Sequence, residues 1–325
     1  MIILLSTLDN AMQLRETLDA LTRVRFPART RIHVIDNGST DNTAAVLKEF
    51  QSRLPMVRHY YPVRGKNHCL NHVLHKVVYG LEPEELVVLT DDDVIPDADW
   101  LEQLDLAARR HPGVSVFAGA IAPRWPEGTG ASPDCLGTHF GALFSITSHP
   151  EGPCDCTAAF GPNMAVRARV FHAGFRFDPG FGPNGGGCYP MGSETELMDR
   201  LDAAGHKAWF AAHARLRHIV LAEQLTQENI IRRARRHGKG CGWREHRGVS
   251  APSLLAGYLS SARGIVSANV RFVVDRSKTR LIHAYHAAWA RGYAEGVYLA
   301  AQDQPRRLHN APERRTATRV HLMAK

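Results

Sequence analysis

Along the first hundred residues, short apolar runs alternate with segments whose apolar positions recur every three to four residues. "IILLS" leads into "NAMQLRETLDALTRV", "RIHVID" into "TAAVLKEFQSRL", "MVRHYY" into "KNHCLNHVLHKVV", and "ELVVLT" into "DADWLEQLDLAARRH". The first pattern predicts buried strands and the second amphipathic helices. Their alternation predicts an α/β fold, a Rossmann-like, mostly parallel open sheet with helices on both faces. Ligands of such sheets bind beyond the carboxyl ends of the strands, where "DNGST" and "DDD" both fall.

From Pro112 to His149 the alternation weakens, and short pieces such as "VSVFAGAIA" and "FGALFSIT" suggest mixed or antiparallel strands. The glycine-heavy stretch "FDPGFGPNGGGCYPMGSE" predicts a mobile loop. "SETELMDRLDAAG" then reads as a helix with Ser193 as N-cap and Gly205 as stop, followed by a strand "KAWFAA" and the short run "RLRHIV". Beyond residue 222 the chain is basic and helical. The expected organisation is a domain over 1–222 in two halves that divide near residue 110. A basic helical extension over 223–301 and a basic tail over 302–325 follow.

A chain of 325 residues with 44% hydrophobic content is long enough to bury a normal core. "MIILLSTLDN" meets Asp9 too early for a signal peptide, and Arg291 and Glu295 interrupt "LIHAYHAAWARGYAEGVYLAA", which argues against a membrane span. A cytoplasmic location is expected, peripheral at the inner face of the membrane if the basic end meets lipid. The cysteines at 69, 135, 154, 156, 188 and 241 form no C-x-x-C pair, which favours free thiols over a zinc site. The net charge of +8 is weighted to the tail, where Arg306, Arg307, Arg314, Arg315, Arg319 and Lys325 face only Asp303 and Glu313. Such an end suits an anionic partner, including an acidic membrane surface. No zinc pattern or aromatic-interleaved basic sheet points to nucleic acid.

Asp91, Asp92 and Asp93 follow the apolar run "LVVL" after the single residue Thr90. Strand alternation would turn Asp91 and Asp93 to one side and Asp92 to the other. Two converging carboxylates make a hard-oxygen site for Mg²⁺ or Mn²⁺; a solvated acidic turn is the alternative. Asp97 and Asp99 read as helix-start residues.

In order and spacing, "IHVIDNGSTDNT", "RGKNHCLNHVL", "VVLTDDDVIPDADWL", "GPNMAVRARVF" and "GSETELMDRLDAAGHKAWFAAHARLRH" resemble the family 2 glycosyltransferases over about the first 240 residues. The resemblance implies a GT-A fold, a nucleotide-sugar donor with UDP favoured, a divalent cation (Mn²⁺ or Mg²⁺) and transfer with inversion. It assigns Thr7, Asp9, Asp36, Ser39 and Lys66 to the nucleotide side, although "STLDN" departs from the family's P-x-Y/F-N loop. The triplet matches D-x-D, which makes Asp93 and Asp91 metal residues, Asp91 also a nucleotide contact, and Asp92 a neighbour on the nucleotide side with a structural part. His218 matches a late third ligand. "GSETEL" stands where the family writes G-E-D-x-E-L, making Glu194 the base, with Glu196 the alternate base beside the acceptor pocket. Asn163 of "GPNMA" is implied near the acceptor and sugar. In "NIIRRARRHGKG", Arg233 and Arg236 have the spacing to clamp a diphosphate. The acceptor is left open among glycan, lipid-linked and small-molecule hydroxyls. A nucleotidyltransferase of related fold is the nearest rival, though "STLDNAMQL" lacks its glycine-rich phosphate loop. A degenerate, non-catalytic nucleotide- or glycan-binding domain is another.

Overall fold

The first strand, β1 (Ile2–Thr7), sits between β2 (Arg31–Asp36) and β4 (Leu86–Thr90), with β3 (Met56–Tyr60) outside β2, and every one of these pairings is parallel. The connections are α1 (Ala11–Leu21), α2 (Thr43–Phe50) and α3 (Lys66–Val77). The computed structural model describes residues 1–127, 139–184, 186–274 and 280–303. Most of the expected basic tail, Cys135 and Gly185 of the glycine stretch lie outside them.

The second half of the sheet is mixed. A short β5 (Val94–Pro96) and α4 (Trp100–Arg110) precede β6 (Val116–Arg124), and α5 (His139–Phe144) precedes β7 (Gly152–Cys154). Then come β8 (Met164–Arg167), α6 (Ala168–His172), α7 (Ser193–Ala203) and β9 (Ala208–Ile219). The order is β3-β2-β1-β4-β8-β6-β9-β5, with β7 also on β9. β8 runs antiparallel to β4 and β6, whereas β6 and β9 are parallel. The segment "FGALF" forms α5 rather than a strand, and "KAWFAA" and "RLRHIV" form one strand, β9. A register shift between Gly119 and Ala120 absorbs the residues that join them.

Alternation along β1 sorts its side chains between two cores. Ile3 and Leu5 pack with Leu14, Leu18, Trp100 and Leu104 on the α1, α2 and α4 side. Ile2 and Leu4 pack with Leu70, Leu74, Phe171 and Leu197 on the α3, α6 and α7 side. Each such fully buried side chain stabilises by about 1.5–3 kcal/mol. Both faces of the sheet are therefore closed, and its strand ends are left to carry the polar chemistry.

Three long helices follow: α8 (Gln227–His246), α9 (Ala251–Val274) and α10 (Arg280–Gln302). A third apolar cluster ties Ile230 and Ala234 of α8 to Leu143, Phe144 and Tyr285. Between α8 and α10 the backbones touch. A Cβ on Gly238 would lie 2.0 Å from the Trp289 carbonyl oxygen, and one on Gly292 1.9 Å from that of Arg235. Gly242 and Gly296 repeat this one turn on, so only glycine permits the approach.

Candidate active site

A cleft of about 420 Å³ opens at the carboxyl ends of β1 and β4, lined among others by Thr7, Asp9, Asn10, Lys66, Asp91, Asp92, Asp93, His218 and Arg233. These residues come from the whole chain, brought together by the parallel pairing of β1 with β4 and by β9 crossing beside β5.

All three aspartates line the cleft, so Asp92 stands with its neighbours and is not turned to the other side as strand alternation would have it. β4 ends at Thr90 and β5 begins at Val94, so residues 91–93 are a bent link outside both strands and strand alternation does not apply to them. Asp92 accepts a 2.6 Å hydrogen bond from the Thr7 hydroxyl and another from the Asn10 side chain. Burial, with the Asp93 charge beside it, pushes the Asp92 carboxyl up to about 7.

The Lys66 ammonium donates to Asp91 at 2.7 Å and to Glu194 at 2.9 Å, with all three side chains less than a quarter exposed. Burial opposes the Lys66 charge, but the two carboxylates outweigh it and hold its pKa well above the usual lysine range. Burial raises Glu194, yet Lys66 and the Ser193 hydroxyl, 2.8 Å away, bring it below the ordinary range, so it is a carboxylate. For Asp91, burial and the charges of Asp93 and Glu194 prevail over Lys66, and its pKa rises. Glu194 is not on the cleft lining itself but meets it through Lys66. It lies against Gly161, where a Cβ would fall 2.4 Å from Oε1. Gly161, a residue the motif reading passed over, thus keeps the space that Glu194 occupies.

Gly192, not Ser193, caps α7. Its φ of 98° is left-handed, and Ser193 is the first helical residue, with its hydroxyl turned to Glu194. Both ends of the glycine-rich loop are tied down. Lys66 N–H donates to the Pro183 carbonyl, Met191 N–H to that of Arg236, and the Asn67 amide to those of Asp178 and Phe181. Pro183 and Met191 line the cleft from this loop.

His218 is buried, with Nδ1 2.6 Å from the Phe144 carbonyl and Nε2 3.1 Å from Asp93. A carbonyl only accepts, so Nδ1 carries the hydrogen and Nε2 faces Asp93. Burial lowers the imidazole, but Asp93 overcomes it and raises the pKa. Asp93 Oδ1 is buried without a hydrogen-bond partner. An orphaned carboxylate oxygen beside an oriented imidazole and a second carboxylate is a donor set that suits a hard divalent ion. Among the described residues, however, no three of the side chains His, Cys, Asp and Glu stand grouped to hold an ion as they are.

Asp9 and Ser39 lace the first two loops together. The Asp9 N–H donates to the Ser39 hydroxyl, and Thr40 N–H to Asp9 at 2.6 Å. Asp36 accepts from Ser39 N–H at 2.8 Å and so holds its own turn, while the next residue, Asn37, lines the cleft and joins that turn to the carbonyls of Tyr61 and Val63. Asp9 and Ser145, both on the cleft, are non-glycine residues with φ of 50° and 54°. Strained backbone of this kind is held only where surrounding contacts enforce it.

Asp36 and Ser39 do not line the cleft themselves, and three further expected residues lie away from it. Asn163 is fully buried, donating to the Ala120 and Ala214 carbonyls and accepting from the Trp100 indole at 2.7 Å, so it staples the irregularity between β6 and β9 rather than lining a pocket. Glu196, two residues beyond Glu194 and so on another face of α7, is buried and paired with Arg200 at 2.7 Å. Arg236 lies over the Tyr189 ring at 4.7 Å, away from the cleft lining. Arg233 alone of the two arginines reaches it, anchored on the Leu143 carbonyl and the Phe144 ring.

A search of curated proteins found no match. A mannosyltransferase, PcManGT of Pyrobaculum calidifontis in complex with GDP-Man and Mn²⁺, has a similar structure: TM-score 0.59 at 15% identity, over 91% of this chain and 86% of that one. An S. aureus TarS fragment in complex with UDP-GlcNAc gives 0.51 at 12% identity, over 92% and 91%. GalNAc-T7 with UDP, GalNAc and Mn²⁺ gives 0.50 at 14% identity, over 75% and 50%. At such identities these likenesses speak for the GT-A fold alone. The model of glycosyl transferase family 2 matches residues 3–175, the stretch that holds the first loop, Lys66 and the aspartate triplet, and the chain belongs to that family.

Proposed function

We propose that this enzyme moves a sugar from a nucleotide diphosphate donor to an acceptor hydroxyl with inversion, using Glu194 as the base. The observation that carries the reading is Lys66, whose one ammonium joins Asp91 of the triplet to Glu194. It links a donor-side carboxylate to Glu194 at the start of α7. Inversion asks for one base on the side of the sugar opposite the leaving diphosphate. Glu194, ionised and held by Lys66 and Ser193, meets that need.

Asp93, Asp91 and His218 are the residues that would hold Mn²⁺ or Mg²⁺, a choice supported by the orphaned Asp93 oxygen and by the ions of the two metal-bearing neighbours. When bound, such an ion offsets the charge of the departing diphosphate. Arg233 adds a fixed positive charge at the same cleft, and Thr7 and Asn10 hold Asp92 in place beneath the donor. Pro183 and Met191 of the glycine-rich loop wall off the side toward Lys66 and limit water that would hydrolyse the donor.

The test is Glu194→Gln. Transfer from UDP- and GDP-sugars should fall by about a hundredfold or more, while thermal stabilisation by the nucleotide with Mn²⁺ persists. Near-normal transfer by the variant overturns the assignment of the base.

A further inference from the structure

Helix α9 presents an apolar strip to solvent. Leu255, Leu259, Val266, Val270 and Val273 are each more than half exposed, with Ala262 among them. At 3.6 residues per turn these positions fall on one side of the helix, over roughly 27 Å. The opposite side, with Gly257, Ser261 and Ala268, is buried. This strip is therefore surplus to the fold: the helix already has its packed face, and a second apolar face of this length is expected to be covered by something.

Charge identifies the cover. Arg263 borders the strip, Arg271 is exposed further round the same side of the helix, and Arg280 stacks over Phe272 at 4.1 Å at its end. Between 251 and 274, and again between 280 and 294, the sequence has no Asp or Glu. The one acidic residue between 251 and 294, Asp275, stands beside Arg276, Lys278 and Arg280, so a second copy docked by a two-fold axis would set an excess of cations against one another. An anionic lipid surface instead receives the apolar strip at its acyl boundary and the guanidinium groups at its phosphates. The sequence after Asp303 adds charge of the same sign, Arg306, Arg307, Arg314, Arg315, Arg319 and Lys325 against Glu313. No helix among the described residues is long and apolar enough to cross a bilayer, so α9 would lie along the surface.

We infer that α9 is an interfacial helix that docks this protein on an anionic lipid surface through its Leu255-to-Val273 strip and flanking arginines. This does not depend on the reaction assigned to the cleft. Sedimentation of the full chain with vesicles of phosphatidylcholine containing about 30% phosphatidylglycerol, against pure phosphatidylcholine, tests it. Binding should require the anionic lipid and weaken with added salt. The neutral pair V266Q/V270Q should reduce it about tenfold or more, as should R263S/R271S. All four positions are exposed, so unchanged melting temperatures are expected to accompany both losses. Absence of binding to anionic vesicles overturns the inference. So does full binding by V266Q/V270Q, which would assign the attraction to the C-terminal charges alone. A lipid-free dimer that V266Q/V270Q renders monomeric overturns it in favour of a second copy.

Discussion

Replacing Lys66 by methionine keeps the length and apolar stem of the side chain and removes one charge from a cluster of three. Lys66 stands 2.7 Å from Asp91 and 2.9 Å from Glu194, in a site where the side chains are 16–24% exposed. Removing one partner of a buried ion pair costs about 3–5 kcal/mol because a charge is left behind uncompensated. Partial exposure argues for the lower end, and two carboxylates are left rather than one, so about 3 kcal/mol is expected above pH 7. At roughly 2 °C per kcal/mol for a chain of this size, the melting point should fall by about 6 °C. In the variant, burial raises both carboxyls with no ammonium to oppose it. A carboxyl whose folded pKa lies above its unfolded value binds more protons when folded, so its penalty is largest at high pH and fades as pH falls through the folded pKa. The difference between wild type and K66M should therefore shrink from pH 8 to pH 5. Urea unfolding at both pH values, with a chelator present to keep metal from replacing the lost charge, measures it. A difference below about 0.5 kcal/mol at pH 8, or one that is equal at the two pH values, would refute the electrostatic account of this cluster.

The helix contact gives a paired test. Gly292→Ala places a methyl 1.9 Å from the Arg235 carbonyl oxygen and should cost about 1–3 kcal/mol or more, and it should also reduce transfer because Arg233 on α8 lines the cleft. Gly264→Ala on α9 meets only the Ala290 methyl at 3.4 Å and should stabilise by up to about 1 kcal/mol, a contrast that calorimetry reads directly. Asn163→Ala leaves two carbonyls and the Trp100 indole N–H without their partner and should cost about 2–4 kcal/mol in urea unfolding. His33 and His59 share one hydrogen bond at 2.9 Å, and burial, then His59, lowers the His33 pKa to about 4. That stability is complete above about 6.5 and drains away as pH falls toward 4, because the unfolded chain takes up the proton first. His33→Val should flatten this part of the pH–stability curve.

The strand and helix order of the first hundred residues was readable because each element announces itself by its own period. The nucleotide-side motifs were readable for a related reason, since a strand end followed by polar residues is a local signal. Beyond residue 112 the reading weakened. "FGALF" is too short for its period to separate helix from strand, and it became α5 because Leu143 and Phe144 pack beneath α8. Strand alternation turns Asp92 the wrong way because the strand stops at Thr90, two residues before it. Asn163 and Glu196 carry the polar groups that a pocket would use, but each found its partners inside the fold. Asn37 and Asn10 had a signal, in "DNGST" and "STLDN", that a reading centred on charges did not weigh. Gly161 had none, because its role is the volume left for a side chain from another segment.

By itself the sequence determined the alternating α/β framework, which strand ends would bear carboxylates, and the family. These follow from periodicities of two and 3.6 residues and from short motifs, which need no knowledge of distant partners. Tertiary structure alone decided that Lys66 would meet residues 25 and 128 positions away, and that His218 would face Asp93 across the β5–β9 pair. It also decided that Arg233 and not Arg236 would reach the cleft. The position of a side chain in such a cluster depends on how whole elements pack against one another, and no local pattern in the chain encodes that packing.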